Sequence, residues 1–114
     1  IKIISALTIN NKKDVNQYKK YETVSDIILF DGSGYEKSSG FDHKLLSNVP
    51  NTIKKMLAGN IKYNDRLEKF SKITDIIDIS GSLETVGKKD ISKINILLKN
   101  VSEIKKWKLT KKYL

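Results

Sequence analysis

No cysteine occurs anywhere in the 114-residue sequence, and that absence excludes several kinds of chemistry. The chain can form no disulfide, supply no thiolate nucleophile and contribute no cysteine ligand to a metal. Its single histidine, His43, likewise excludes a histidine-rich metal site within the chain. Any functional site must therefore be built from other side chains and from the backbone.

Long apolar runs are also missing, since none comes near the roughly 20 residues that a membrane-spanning helix needs. The chain starts at Ile1 with neither the charged nor the apolar region of a signal peptide. We therefore expect a cytoplasmic protein with no membrane partner. Because Ile1 is not an initiator methionine, we also expect that the chain starts inside a longer protein or that its start was removed.

Negative charge is scarce, because 22 Lys and Arg residues outnumber 13 Asp and Glu residues and give a net charge of +9. Such a balance fits an anionic partner, either a nucleic acid or a phosphorylated substrate. Most lysines, however, fall on what the pattern indicates to be solvent-facing helix surfaces, which favours plain surface charge. A nucleic-acid partner is the weaker alternative, and it depends on one basic segment with interspersed aromatic residues at 105–113.

What the sequence does contain is a regular alternation of strands and helices. Four short apolar segments predict strands at residues 2–7, 26–31, 55–59 and 75–80. They begin 24, 29 and 20 residues apart, which leaves room for one crossover helix between successive strands. The alternation predicts an α/β fold with a parallel sheet and right-handed crossovers.

Each predicted helix has recognisable start signals. The expected capping residues are Asn10 or Asn11 for the first helix, Asp42 for the second, Asn64 or Asp65 for the third and Asp90 for the fourth. The fourth helix has the clearest pattern, because apolar residues spaced three and four apart share one face and lysines lie opposite. The residues of this apolar face are Ile91, Ile94, Leu97, Leu98 and Val101.

Two of the predicted strands end in the same way. An apolar run leads into Asp31 and Gly32 in one case, and into Asp78 shortly before Gly81 in the other. Strands buried on both faces read as continuous apolar runs, and in (βα)8 barrels the chemistry lies at their C-terminal ends. All six glycines also fall at or after such ends, which indicates ligand-accommodating loops there. We therefore expect function at Asp31 and Asp78.

Five segments add a pattern that is more specific than any one of them alone. In order they are residues 27–31 (IILFD), 38–42 (SSGFD), 57–60 (LAGN), 77–84 (IDISGSLE) and 87–90 (GKKD). Together they resemble the phosphoribosylanthranilate isomerase family of TIM-barrel enzymes. The resemblance covers nearly the whole chain and implies that residues 1–114 are the C-terminal half of one barrel domain, a (βα)4 unit of strands five to eight. The N-terminal half would come from the same chain or from a partner chain.

The resemblance further implies an isomerase of tryptophan biosynthesis that acts without a metal or a cofactor. The reaction is an Amadori rearrangement of N-(5-phosphoribosyl)anthranilate. Asp31 matches the general acid that protonates the ring oxygen, and Asp78 matches the residue that hydrogen-bonds the anthranilate nitrogen. The family's base is a cysteine in a strand that would lie upstream of Ile1. From the residues alone, Asp31 could equally be a turn or capping residue, and Asp78 a structural acceptor of backbone N–H groups.

The substrate's phosphate group is expected on backbone N–H groups after the last two strands, where barrels commonly add a short extra helix. The matching residues are Gly59 and Asn60 in one loop and Ser80, Gly81 and Ser82 in the other. The family usually has glycine in place of Asn60 and Ser-Ser-Gly in place of residues 80–82. Asparagine tolerates the left-handed backbone, so the first difference is mild.

Two alternatives remain at this point. One is another phosphate-binding barrel, such as a histidine-pathway isomerase or an aldolase-like enzyme, and the residue that ends the first strand of the missing half would separate it from the isomerase. The other is a basic nucleic-acid-binding module, for which salt-dependent affinity for RNA would be the sign.

Overall fold

The computed structural model describes residues 1–32 and 42–104. Residues 38–41 of the second motif and the basic segment at 105–113 therefore lie outside the described residues. The four main strands are β1 (Ile4–Thr8), β2 (Ile27–Asp31), β3 (Lys55–Ala58) and β4 (Ile76–Asp78). The helices are α1 (Lys12–Val15), α2 (Tyr18–Tyr21), α3 (Glu68–Ser71) and α4 (Ile91–Ser102), with 3₁₀ helices at His43–Asn48 and Gly81–Leu83.

The four strands form one sheet in the order β1-β2-β3-β4, and every neighbouring pair is parallel. Sequential order with parallel pairing requires a crossover after each strand, which the helical segments between the strands provide. The predicted α/β fold with a parallel sheet is confirmed, and its four strands are half the number in a TIM barrel. Both outer strands, β1 and β4, are edges of the sheet as described.

One face of the sheet is covered by the helices and holds the core. Leu7, Phe30, Leu57 and Ile77 pair across the four strands in one row, and the first three are buried. Because paired residues in a parallel ladder point to the same face, this row marks the helix side of the sheet. Further buried residues pack against it, namely Ile9, Val15, Tyr18, Ile28, Leu46, Val49, Ile61, Leu67, Phe70 and Ile104.

The opposite face of the sheet is apolar but open. Its central row consists of Ala6, Leu29, Met56 and Ile76, of which Ala6 is exposed and the others are half-buried. The continuous apolar runs predicted strands that are buried on both faces, whereas the described residues cover only one. The sequence pattern and the observed burial therefore differ on this face, because no described element lies over it.

The first three helical segments are shorter than the sequence pattern predicts. Asn11 caps α1 as expected, accepting a hydrogen bond from Asp14 N at 3.0 Å, but the helix ends at Val15 and a separate turn of helix forms α2. Asp42 caps its segment as expected, although that segment is a 3₁₀ helix. The predicted cap of the third helix is wrong, because Asp65 instead accepts from Lys62 N at 2.8 Å and closes the preceding turn.

The fourth helix begins where predicted, but its apolar stripe is only partly used. Asp90 Oδ1 accepts from Ser92 N at 2.9 Å and from Lys93 N at 3.3 Å, which satisfies donors of the first turn. Leu97 and Val101 pack against the core, whereas Ile91 and Leu98 are 74% and 60% exposed. Two of the five residues on the predicted apolar face, Ile91 and Leu98, are therefore exposed within the described structure.

A short hairpin that the sequence pattern did not predict precedes α4. Strands β5 (Glu84–Thr85) and β6 (Lys88–Lys89) pair antiparallel across a two-residue turn of Val86 and Gly87. Both turn residues have positive φ, +52° for Val86 and +75° for Gly87, as a two-residue hairpin of this kind requires. The hairpin brings Lys89 back toward the end of β4.

Candidate functional site

The two predicted carboxylates lie on one row at the C-terminal edge of the sheet. Asp31 ends β2 and Asp78 ends β4, and both pair with Ala58 of the strand between them. Paired residues share a face, and strands lie about 4.8 Å apart, so the two Cα atoms are separated by roughly 10 Å along the row. Ala58 carries only a methyl group, so no bulky side chain stands between the carboxylates.

The backbone around Asp31 is held from both sides. Ile9 N donates to the Asp31 carbonyl oxygen at 2.7 Å, and Gly32 N donates to the Ala58 carbonyl oxygen at 3.2 Å. Asp31 is half-buried and Asp78 is exposed, so the carboxylate of Asp31 is the more shielded of the two. Both belong to the open face of the sheet, because they pair in the row that alternates with the buried one.

The loop after β3 has the backbone expected of a tight, ligand-accommodating turn. Gly59 has φ of +98° and Asn60 has φ of +54°, so two successive residues adopt positive φ. Asparagine reaches the left-handed region more easily than most residues, which explains why it can replace a second glycine here. The predicted residues Gly59 and Asn60 therefore follow β3 directly, at the same edge of the sheet as Asp31.

The loop after β4 begins earlier than predicted. The strand ends at Asp78, and Ser80, Gly81 and Ser82 belong to the turn that leads into the 3₁₀ helix at Gly81–Leu83. Leu83 N donates to the Ser80 carbonyl oxygen at 3.1 Å and closes this turn. This is the first hydrogen bond of the 3₁₀ helix, so the N–H groups of Gly81 and Ser82, which come earlier in the chain, have no acceptor within the helix.

The two loops are tied together. Tyr63, which follows the first loop, donates its backbone N–H to Ser82 Oγ at 3.0 Å. Its carbonyl oxygen accepts from Asn100 Nδ2 at 3.5 Å, and Lys93 Nζ lies 5.6 Å from the centre of its ring. The segment that follows Gly59 and Asn60 is thus joined to the loop after β4 through Ser82.

Sequence reasoning missed a set of charged residues beside this place. Lys89 Nζ donates to Glu84 Oε2 at 2.7 Å, and Lys93 Nζ donates to the Glu84 carbonyl oxygen at 2.7 Å. Glu84 itself is the C-terminal cap residue of the 3₁₀ helix at Gly81–Leu83. Lys89 belongs to the GKKD motif, but the motif does not indicate the direction of its side chain.

His43 has a packing role rather than a place at this edge. Its ring meets Phe70 edge-on with centroids 5.2 Å apart. Burial lowers the pKa of His43, the nearby Lys69 ammonium lowers it further, and Asp42 partly opposes both. His43 therefore contributes to packing within the described residues.

A cavity of about 360 Å³ lies at the opposite end of the sheet, lined by residues that include Val49, Lys55, Thr74 and Asp75. Lys55 begins β3 and donates its Nζ to the Pro50 carbonyl oxygen at 3.2 Å. Barrel enzymes place chemistry at the other end of the strands, so we assign no substrate to this cavity. The part of the chain that the structure describes holds no cluster of three or more candidate metal ligands.

Comparison with known proteins separates this chain from other phosphate-binding families. The sequence profile of N-(5'-phosphoribosyl)anthranilate (PRA) isomerase matches residues 1–100. The chain belongs to this isomerase family. N-(5'-phosphoribosyl)anthranilate isomerase of Bacillus mycoides (strain KBAB4) is 36% identical over 111 residues, which are 90% of the chain and 53% of that protein. The enzyme of Bacillus cereus (strain B4264) is 32% identical over the same shares of both chains.

The chain spans about half the length of the curated relatives that it matches. No solved structure matches it significantly. Within residues 1–32 and 42–104, no helix combines the length and the apolar character that crossing a bilayer requires. Membership of this family favours the isomerase over the alternative that the sequence had left open, another kind of phosphate-binding barrel.

Proposed function

We propose that this chain is the C-terminal half of an N-(5'-phosphoribosyl)anthranilate isomerase and that it carries the general acid and the phosphate site of the tryptophan-pathway reaction. The observation that carries the proposal is the row on which Asp31 and Asp78 lie, beside the two loops that follow β3 and β4. Family membership supplies the reaction, and this row supplies side chains suited to it.

Asp31 is the general acid in this proposal. Opening of the sugar ring needs a proton on the ring oxygen, and a positioned carboxyl group can deliver it. Asp31 is the better candidate of the two carboxylates because it is half-buried, and its carbonyl is fixed by the Ile9 N–H at 2.7 Å. A separation of roughly 10 Å along the row keeps the carboxylates from sharing a proton, so each can contact a different atom of one substrate.

Asp78 orients the substrate by accepting a hydrogen bond from the anthranilate nitrogen. The phosphate group binds backbone N–H groups of the two loops, with Gly59 and Asn60 on one side and residues 80–82 on the other. Neither role requires a metal or a cofactor, and both suit a small phosphorylated substrate.

The proposal includes an N-terminal half-barrel, in the same chain or in a partner. The open apolar face and the two edge strands support it, because a closed barrel leaves neither exposed. The catalytic base would come from that half, since these residues include no cysteine. A cytoplasmic location goes with the proposal, and fractionation of cells that express the protein would check it.

The test uses a composite barrel, defined as this chain joined to the part of the Bacillus mycoides enzyme outside the matched region. We expect the composite barrel to isomerise N-(5'-phosphoribosyl)anthranilate. Asp31→Asn should lower kcat by about 10²–10⁴-fold with little change in KM, because the amide keeps the shape but cannot donate the required proton. Asp78→Asn should act mainly on KM.

Glu22→Gln is the matched control, because it removes one carboxylate at an exposed position beyond α2 and away from the row. It should leave both kinetic constants unchanged. A composite barrel that folds but shows no turnover would contradict the proposed function. Near-normal kcat for Asp31→Asn would remove the acid from this position and leave Asp31 as a structural residue.

A further inference from the structure

Lys89 directs its ammonium group at the loop that follows β4. Its Nζ donates to the carbonyl oxygen and to the hydroxyl oxygen of Ser80, each at 3.0 Å, and to Glu84 Oε2 at 2.7 Å. Three acceptors match the three N–H donors of an ammonium group. The side chain of the adjacent Lys88 makes no hydrogen bond or ion pair with another described residue. Only one lysine of the pair therefore holds the loop.

The hydrogen bond from Lys89 to the Ser80 carbonyl oxygen also fixes the direction of the N–H group of Gly81, which belongs to the same peptide unit. In a trans peptide the C=O and the following N–H point in opposite directions within one plane. When Lys89 and the Leu83 N–H together hold the Ser80 oxygen, they also direct the Gly81 N–H away from the ammonium. A carbonyl oxygen has two lone pairs, so it can accept both bonds at once.

A second lysine holds the C-terminal end of the same segment. Lys93 Nζ donates to the Glu84 carbonyl oxygen at 2.7 Å and lies over the ring of Tyr63, whose N–H reaches Ser82 Oγ. The hydroxyl of Ser82 uses an oxygen lone pair in that bond and keeps its proton as a donor. Lys89 and Lys93 thus hold both ends of the 80–84 segment.

We infer that Lys89 is a positioning residue for the phosphate group of the substrate. It acts through the Ser80 peptide, whose orientation aims the Gly81 N–H at the anion, and its positive charge lies beside the same loop. This inference rests on the phosphate site of the proposed function. Lys89 touches no reacting atom, so its removal should weaken binding and spare the chemical step.

The experiment compares Lys89→Met with Lys88→Met in the composite barrel. Lys89→Met should raise the dissociation constant of inorganic phosphate, measured by calorimetry, by roughly tenfold, because the Ser80 peptide loses a charge-assisted hydrogen bond that holds its orientation. The KM of the substrate should rise by a similar factor with kcat unchanged. Lys88→Met removes the same charge one residue away and should change neither constant. Lys89→Arg restores the donors and should recover most of the affinity.

Thermal unfolding of each variant identifies any that fails to fold, and Lys89→Gln then takes the place of the methionine variant. Equal phosphate affinity in the Lys89 and Lys88 variants overturns the inference, as does a fall in kcat with phosphate affinity unchanged. If the parent protein binds phosphate but does not turn over substrate, the proposed function fails. The phosphate affinities of the Lys89 and Lys88 variants then still test the role of Lys89. If the parent binds no phosphate, both fail.

Discussion

At the scale of the residue, the position of a side chain along its strand decides what it can do. Phe30 and Asp31 are neighbours in β2, yet Phe30 is fully buried under the helices while Asp31 belongs to the open face. The alternation of side chains along a strand produces this contrast. A shift of one residue in the register of β2 would bury the carboxylate and expose the ring.

Val86 is a residue whose backbone conformation conflicts with its side chain. It has φ of +52° in the hairpin turn and is 94% exposed, so packing does not compensate for the strain. Val86→Asn gives the Asn-Gly pair that such turns prefer and should raise the free energy of unfolding by about 1 kcal/mol. Urea denaturation of the composite barrel measures this change.

Val24→Asn is the matched control for this substitution. Val24 is 60% exposed and is not among the described residues with positive φ. Its replacement should leave the free energy of unfolding nearly unchanged. An equal gain from both substitutions would mean that exposure of an apolar side chain, and not backbone strain, explains the effect.

His43 should make the free energy of unfolding depend on pH between about pH 5 and 8. It is the only side chain type in this chain whose ordinary pKa lies in that range. Burial lowers its folded-state pKa below 6.5, so the unfolded chain takes up a proton first as the pH falls. The neutral ring therefore contributes stability above pH 6.5. That contribution is lost as the pH falls through the lowered pKa of the folded state.

The expected result is a Tm that falls between pH 7.5 and pH 5 by a larger amount in the parent than in His43→Gln. Comparison of the two composite barrels cancels the contribution of histidines in the other half. Parallel pH profiles of Tm would show that folding leaves the pKa of His43 where it is in the unfolded chain.

At the scale of the element, the hairpin and α4 form the support of the candidate phosphate site. The hairpin supplies Lys89, and the first turn of α4 supplies Lys93, both of which contact Glu84. Asp90 joins the two elements, because it caps α4 and accepts a 2.7 Å hydrogen bond from the Thr85 hydroxyl. That bond is the main reason why the pKa of Asp90 is lowered.

Substitutions of Asp90, the N-cap of α4, separate the contribution of its hydrogen bonds from that of its charge. Asp90→Ala removes the acceptor of two backbone N–H groups and should lower Tm by about 2–4 °C in a domain of barrel size. Asp90→Asn keeps an acceptor and should retain most of the stability. Calorimetric scans at pH 7 decide between them, and equal Tm values for the alanine and asparagine variants would show that the charge alone matters.

At the scale of the whole molecule, the described residues place helices on one side of the sheet and leave an apolar row on the other side without a covering element. Strands that leave both edges and one face unpaired tend to associate with other chains. The N-terminal half-barrel that we propose would remove all three exposures at once.

The chain by itself should therefore self-associate or unfold in part. Sedimentation velocity should show species larger than the monomer, and Leu29→Asn on the open face should reduce them. The same substitution should weaken assembly with the other half when the two are supplied separately. Val24→Asn, which lies off that face, should do neither. A stable, monodisperse monomer of the parent chain would contradict this expectation.

The local pattern of the sequence determined the α/β class, the four strands and the acid at the end of each of two strands. Apolar runs, capping residues and turn glycines are properties of neighbouring residues, so Asp42 and Asp90 could be identified as caps without coordinates. The family resemblance added the proposed roles of Asp31 and Asp78, which the spacing of residues does not reveal.

Only the tertiary structure decided which residues meet across the sheet and across the loops. The contacts of Lys89 with Ser80 and of Tyr63 with Ser82 join residues 9 and 19 positions apart, and no periodic signal links them. The exposure of Ile91 and Leu98, and the incomplete burial of the row through Leu29, likewise depend on which elements lie nearby. A sequence states that a side chain is apolar, but its burial depends on the surfaces that fold against it.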